Sequence, residues 1–134
     1  MFLRTDIPLA QQLVQASHAA LEAGLKDNHT YQQTSSIIIF QIPDEQTLKN
    51  ELNYIQSLGI ECASFYEPYE DMGITAFATL PVTEDKRHLF KKYTLWGRDF
   101  KQENPELHHY LKQEKKQIQA QKSVKKLLEE TQLI

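Results

Sequence analysis

The sequence predicts an α/β sandwich: a small, mixed four-stranded sheet with helices packed on both of its faces. Strand-like apolar runs alternate with helical patterns through the first 97 residues. The last two strand candidates are separated only by the turn-like residues 68–73, so they suit a hairpin within a mixed sheet. Beyond residue 97 the chain becomes polar and rich in lysine and glutamine. We therefore expect a domain at 1–97 and a C-terminal helical extension at 98–134.

The first two elements are a short strand and a long helix. Residues 2–6 (FLRTD) suit a strand, Asp6 suits a helix N-cap, and Pro8 is tolerated in the first turn. Four apolar residues of the helix recur at helical spacing, and we expect this stripe to face the core: Leu9, Leu13, Ala16 and Ala20. A polar stripe runs beside it: Gln11, Gln15, His18 and Glu22.

The middle of the chain alternates between the two patterns. The β-branched run at 35–42 predicts a strand that is covered on both faces. Residues 43–60 predict a helix that stops at Gly59. Its buried line comprises Leu48, Leu52, Ile55 and Leu58. The remaining elements are strands at 61–67 and 74–80 and a short helix at 84–93 that is capped by Thr83.

The extension predicts one long polar helix. Asn104 suits its N-cap and Pro105 its first position. The helix has a thin apolar seam: Leu107, Leu111, Ile118, Val124 and Leu128. Because so little apolar surface cannot stabilise a helix alone, we expect it to lean on the domain or on another chain, which makes a homodimer one possibility.

Charge and composition exclude several classes of protein. Residues 1–97 hold seven Lys/Arg against twelve Asp/Glu, a balance of −5, while residues 98–134 hold eight against six, a balance of +2. The first part is therefore poorly supplied for neutralising phosphates. The single cysteine, Cys62, and the lack of a signal-like or membrane-length apolar run indicate a cytoplasmic protein without membrane contact. No glycine cluster or zinc spacing is present, so we expect neither cofactor nor metal.

Two stretches, taken in order, resemble the type II peptidyl-tRNA hydrolase family, the archaeal and eukaryotic type. RTDIPLAQQLVQASHAA (4–20) resembles its first strand and helix, with Arg4, Asp6, Gln15, His18 and Ala19 on matching positions. EDMGITAFATLP (70–81) resembles its closing strand, with Thr75, Ala78 and Pro81 matching. Gln11 stands where the family has a lysine, and Ala63 where it has an aspartate. The chain thus looks like a divergent bacterial branch of that family.

The resemblance implies a hydrolase of peptidyl-tRNA or a related acyl ester, with tRNA as partner. His18 would be the base or orienting group and Gln11 a polar donor. One carboxylate of the acidic loop (Glu67, Glu70 or Asp71) would substitute for the missing aspartate, and Asp71 is the one assigned to catalysis. The residues expected to contact substrate are Gln15, Thr75, Glu67, Lys86 and Arg87.

Each of these residues also has a purely structural interpretation. His18 suits a packed helix position, the acidic loop suits a solvated turn, and the lysines suit an ordinary helix surface. The alternative function is therefore a catalytically inactive binding or regulatory module on the same fold. Its C-terminal helix would then bind a partner or a second copy.

Overall fold

The computed structural model describes residues 1–27, 35–98 and 105–132. Within those ranges strands and helices alternate, as the sequence predicts. The elements are β1 (Phe2–Arg4), α1 (Leu9–Lys26), β2 (Phe40–Ile42), α2 (Glu45–Ser57), β3 (Cys62–Glu67), β4 (Gly73–Thr79) and α3 (Pro105–Gln132), with 3-10 helices at Tyr69–Asp71 and Glu84–Phe90.

The four strands form one open sheet in the order β2-β1-β4-β3. β1 pairs with β2 in parallel and with β4 in antiparallel fashion, and β3 and β4 form an antiparallel hairpin. The predicted α/β class and mixed four-stranded sheet are therefore confirmed. All three residues of β1 are buried, because this strand lies inside the sheet.

Alternate residues of β1, β3 and β4 enter two separate apolar clusters, so the sheet is covered on both faces. One cluster is largely aromatic and aliphatic and joins Phe2, Phe40 and Phe77 to residues of α2. The other is made of small side chains: Ala19 and Ala23 of α1 pack with Ala63, Ala76 and Ala78 of the hairpin. The small residues allow α1 to lie close to the sheet.

The predicted core stripe of α1 is wrong at its two leucines, although Ala16 of the same stripe packs against the core. The buried residues of α1 are Gln12, Gln15, Ala19 and Ala23, whereas Leu9 and Leu13 of the expected core stripe are at least half exposed. The two glutamines are buried because their amide groups find partners, Gln15 on the β3–β4 hairpin and Gln12 at Ile7 O and Trp96. The hydrogen bonds offset the cost of burying these amides.

Three other predictions on the N-terminal half need correction. α1 begins after Pro8 without a side-chain cap, since the carboxylate of Asp6 is bound by Arg4. The predicted strand at 35–42 is regular only over Phe40–Ile42. Its partner β1 has three residues, so the two strands pair over three residues only. Ile37 and Ile38 are exposed rather than covered on both faces.

α2 matches its prediction closely. The Asp44 carboxylate accepts a 2.7 Å hydrogen bond from the Thr47 backbone N–H and caps the helix. Leu48 and Ile55 are fully buried, and Leu52 and Leu58 pack beside them. Gly59 follows the helix with φ +79°, a left-handed conformation that glycine adopts without steric cost.

The chain divides into two compact units, Met1–Trp96 and Gly97–Ile134. α3 starts at Pro105, the position that favours proline in a helix. Asn104 and the side chain of Leu107 lie outside the described residues. In the described part of the chain, no helix has the length and apolarity needed to cross a membrane.

Candidate functional site

The candidate site lies between α1 and the β3–β4 hairpin and is organised around Gln15. This side chain is fully buried, and so is that of Thr75. Gln15 Oε1 accepts a 2.7 Å hydrogen bond from Thr75 Oγ1. Gln15 Nε2 donates to Glu67 Oε2 at 3.1 Å and to Gln11 Oε1 at 3.4 Å. Four of the residues singled out in the sequence therefore form one hydrogen-bonded group.

Glu67 is held as a carboxylate at the end of β3. Its Oε1 accepts a 3.0 Å hydrogen bond from the Tyr69 backbone N–H. That bond and the one from Gln15 lower the pKa of Glu67, and the nearby charge of His18 lowers it further. Glu67 is therefore ionised at neutral pH and acts there only as an acceptor.

His18 lies one helical turn beyond Gln15 and is half-buried. Its imidazole stacks on Phe65 with 4.2 Å between ring centroids and 5° between planes. This packing fixes the ring beside the hairpin. Among the described residues, no hydrogen bond engages either ring nitrogen, so the nitrogens remain able to bind water or a substrate group.

Arg4 and Glu45 hold the loop that precedes Thr75. The buried Arg4 guanidinium donates to the carbonyl oxygens of Met72 and Ile74 and forms a bidentate pair with Asp6 at 2.8 and 2.9 Å. Glu45 Oε2 accepts a 2.9 Å bond from the Ile74 N–H and lies 3.6 Å from Arg4. These contacts fix the start of β4 and, through it, the position of Thr75.

The backbone of the same loop is strained. Glu70 and Asp71 have φ values of 52° and 54°, in the left-handed region that ordinary residues avoid. Gly73 follows with φ +74°, and a Cβ atom there would collide with the end of the Glu45 side chain. The turn favours glycine at this position for its conformation, and a larger residue would also displace the Glu45 carboxylate.

Asp71, the predicted substitute for the family's aspartate, lies on the outside of this turn. Its side chain is exposed, and its backbone N–H bonds to Pro68 O. The carboxylate that contacts Gln15 is Glu67, which the sequence indicated as a substrate contact and as one of the three acids that could replace the aspartate. The strained turn separates the two acids, because it directs the chain outward between them.

Lys86 and Arg87 are not brought to the Gln15 group. Both belong to the 3-10 helix Glu84–Phe90, which follows the far end of β4 from Thr75. Lys86 lines a shallow hollow with Lys26, Glu61 and Thr83 there. Arg87 pairs with Glu84 at 3.5 Å on an exposed surface.

Sequence reasoning missed three residues that shape the site: Gln12, Arg4 and Glu45. Gln12 is buried, donates to Ile7 O at 2.8 Å and accepts a 2.7 Å bond from Trp96 Nε1. The sequence did contain a signal for its burial. Gln12 lies three residues before Gln15 and seven before Ala19, so all three share one face of the helix. For Arg4 the signal was the resemblance, which matched the position without assigning a role.

Other chemistries find little support in the described residues. Burial raises the pKa of the Cys62 thiol to about 11, so the thiol stays protonated and unreactive at neutral pH. No group of three or more His, Cys, Asp or Glu side chains in the described ranges is arranged to hold a metal ion. The polar group around Gln15 thus remains the strongest candidate.

Compared with protein-family models, curated proteins and solved structures, the chain gives no match. The resemblance to type II peptidyl-tRNA hydrolases therefore rests on the residues quoted for it.

Proposed function

We propose that this chain hydrolyses peptidyl-tRNA or a related acyl ester at the Gln15 group. The observation that carries the proposal is the Gln15 group, in which hydrogen bonds from Gln15 and Tyr69 hold Glu67 as a carboxylate. The half-buried His18 imidazole is stacked on Phe65 and lies near enough to Glu67 for the two charges to interact. A histidine beside a carboxylate is a recurrent arrangement for activating water. The acyl-tRNA substrate class is supported by the ordered pair of motifs at 4–20 and 70–81.

In this proposal His18 takes a proton from the water that attacks the ester carbonyl carbon. Glu67 stabilises the imidazolium that forms, because its negative charge lies nearby. The bond between the carbonyl carbon and the ribose oxygen then breaks, and the ribose oxygen receives the proton from His18. The products are a free carboxylic acid and a tRNA with a free hydroxyl group.

Gln11 supplies a donor for the carbonyl oxygen as it becomes negative. Its own amide oxygen accepts from Gln15, which leaves its NH₂ group directed to other partners. An amide donor of this kind stabilises an oxyanion when it is positioned in advance. Gln15 and Thr75 are positioning residues here, since their polar atoms bond to one another and to Glu67.

The alternative is a binding module without catalysis. One observation favours it: every polar atom of Gln15 is engaged inside the protein. Glutamine also replaces the family's lysine at Gln11. In that case tRNA or another partner would bind without being cleaved. If tRNA binds through phosphate contacts, its affinity falls as salt concentration rises.

The test is deacylation of an N-acetylated aminoacyl-tRNA by the purified chain. We expect turnover, and we expect His18→Ala to reduce kcat/KM by about 10²- to 10⁴-fold. Imidazole added to His18→Ala should restore part of the rate, which loss of structure would not allow. Glu67→Gln should also slow the reaction, because the amide removes the charge and keeps only one of the two acceptor oxygens.

Glu61→Gln is the matched control, since it changes an exposed glutamate at the other end of β3. It should hydrolyse the ester at the wild-type rate. Salt-sensitive tRNA binding without turnover, in wild type and variants alike, would overturn the hydrolase and favour the binding module. A wild-type rate in His18→Ala would overturn the role given to that residue.

A further inference from the structure

The two edges of the sheet are covered differently. Outside β2, Leu95 forms an antiparallel bridge with Phe40, and the Trp96 backbone N–H bonds to Ile39 O. Outside β3 (Cys62–Glu67), no backbone of the described residues is hydrogen-bonded along the edge. In the part of the chain that the structure describes, β3 is therefore an open edge, and such an edge is a template for a further strand.

The free backbone groups of this edge belong to Ser64 and Tyr66. The Leu80 N–H bonds to Glu61 O, so Glu61 and every second residue after it face β4. The N–H and C=O groups of Ser64 and Tyr66 therefore point away from the sheet. Before its last residue β3 has no charge and no proline, the usual obstacles to edge pairing. At the register shift in the hairpin the extra residue is Thr75 of β4, so β3 itself is regular.

The side of α1 next to this edge is apolar and exposed. Val14, His18, Leu21 and Leu25 follow the spacing i, i+4, i+7, i+11 and so lie along one side of the helix. His18 stacks on Phe65 of β3, which places this line on the β3 side of α1. Leu21 is 64% exposed and Leu25 80%. The open edge and the exposed apolar line are therefore neighbours.

We propose that a second copy of this chain covers both surfaces, with the two β3 strands antiparallel about a two-fold axis. α1 contacts both β3 and β4, so its axis lies about half a strand spacing inside β3. The two α1 helices then lie about two strand spacings apart, which is about 10 Å. Helices pack at about 8–10 Å, so one arrangement completes the sheet edge and covers the apolar line. Because His18 lies in that line, the hydrolysis proposed above belongs to the separated copies.

The position of the two-fold axis follows from the residues of β3. An axis at Ser64 would place Glu61 opposite Glu67 of the second copy, and like charges in that position are destabilising. An axis at Phe65 avoids this opposition. It also places the outward N–H and C=O groups of Ser64 opposite those of Tyr66 in the second copy, where they can exchange hydrogen bonds. The axis therefore passes at Phe65.

The charges at the two ends of β3 are complementary in this arrangement. At the start of the strand, the Lys26 ammonium donates a 2.7 Å hydrogen bond to Cys62 O. At its end, Glu67 is held as a carboxylate by Gln15 and the Tyr69 N–H. Antiparallel pairing brings Lys26 of each copy toward Glu67 of the other. Opposite charges of this kind favour association and fix its register.

The experiment is sedimentation of the full chain over a range of concentrations, with no ester present. We expect wild type to dimerise. Ser64→Pro removes the outward N–H, which an edge strand tolerates, so the fold should remain and the Kd of the dimer should rise at least about tenfold. Ser64→Ala is the matched control, because it keeps the N–H and should keep the wild-type Kd.

A second pair of variants tests the contact between the helices. Val14→Glu puts a charge into the apolar line and should also raise the Kd at least about tenfold, which keeps the test valid if Ser64→Pro does not fold. Leu13→Glu changes an exposed leucine about 100° away around α1 and should leave the Kd unchanged. A wild type that is monomeric at every concentration would overturn the proposal. A dimer that survives both Ser64→Pro and Val14→Glu would assign association to another surface, such as α3, and overturn it too.

Disulfide cross-linking tests the register. With the axis at Phe65, Ser64 faces Tyr66 of the second copy at a Cα distance of about 5.5 Å, which a disulfide can span. Oxidation should therefore link Ser64→Cys to Tyr66→Cys in an equal mixture of the two variants, and should link neither variant to itself. A covalent dimer of Ser64→Cys alone would overturn this register. None of these outcomes depends on deacylation, so they leave the proposed hydrolase to its own test.

Discussion

Gln15 and Thr75 join α1 to β4 through a 2.7 Å hydrogen bond between two fully buried side chains. The bond links the only polar side chains that we find buried between these two elements in the described part of the chain. It also ties the site to the fold, because Gln15 is the residue that contacts Glu67. The same amide that stabilises the packing of α1 therefore orients the candidate carboxylate.

Thr75→Val should destabilise the unit Met1–Trp96 by about 1–3 kcal/mol, because the valine keeps the shape and leaves Gln15 Oε1 buried without its donor. The measurement is urea unfolding followed by the fluorescence of Trp96, the one tryptophan of the chain. The double variant Gln15→Leu/Thr75→Val should lose less than the sum of the two single losses. If the loss in the double variant equalled the sum of the two single losses, the result would contradict a hydrogen bond between Gln15 and Thr75.

Ala76→Leu should lower the free energy of unfolding by about 1–3 kcal/mol, because Ala76 is fully buried where α1 lies close to the sheet. Leu13→Ala is the informative comparison. This leucine is more than half exposed, so its loss should change stability by no more than about 0.5 kcal/mol. Both values come from urea unfolding. A larger loss of stability in Leu13→Ala than in Ala76→Leu would contradict the orientation of α1.

The orientation of α1 illustrates what the sequence could not predict. Apolar periodicity placed Leu9 and Leu13 inward, because a pattern treats every glutamine as a surface residue. It carries no information on whether a polar side chain has a partner across the sheet. Thr75 and Trp96, which bind Gln15 and Gln12, are 60 and 84 residues away along the chain.

The elements with local signals were predicted well. α2 has its apolar line and its stop at Gly59 within one continuous segment, and both are confirmed. The hairpin of β3 and β4 needed only two short runs and a turn between them. The acid that contacts Gln15 was harder to predict, because Glu67, Glu70 and Asp71 are close in sequence and Gln15 is 52 residues from Glu67 along the chain.

Gly73→Ala should destabilise the unit Met1–Trp96 more than Gly59→Ala does. Both glycines have positive φ, so an alanine at either position bears a left-handed strain of about 1–2 kcal/mol. At Gly59 nothing lies within 4 Å of the added Cβ, whereas at Gly73 it collides with Glu45. Displacing Glu45 also removes its bond to the Ile74 N–H, which adds about 1–3 kcal/mol. Urea unfolding gives both values, and equal losses would contradict the close approach of Glu45.

The lowered pKa of Glu67 predicts a pH dependence of stability. The folded protein releases this proton more readily than the unfolded chain, so the stabilisation is fully present above the ordinary value of 4.5 and disappears as pH falls through the lower folded value. Glu67→Gln removes the titrating group, and its one amide oxygen can keep the bond from Tyr69 or the bond from Gln15 but not both.

Between about pH 7 and pH 3, wild type should therefore lose more unfolding free energy than Glu67→Gln, and the gap between the two should narrow as the solution becomes more acidic. Asp44 and Glu45 also have lowered pKa values, held by Thr47 and Lys49. Both groups are retained in the two proteins, so the difference between the curves isolates Glu67. Urea unfolding at a series of pH values gives the curves. Parallel curves would mean that the hydrogen bonds from Tyr69 and Gln15 do not hold the carboxylate ionised.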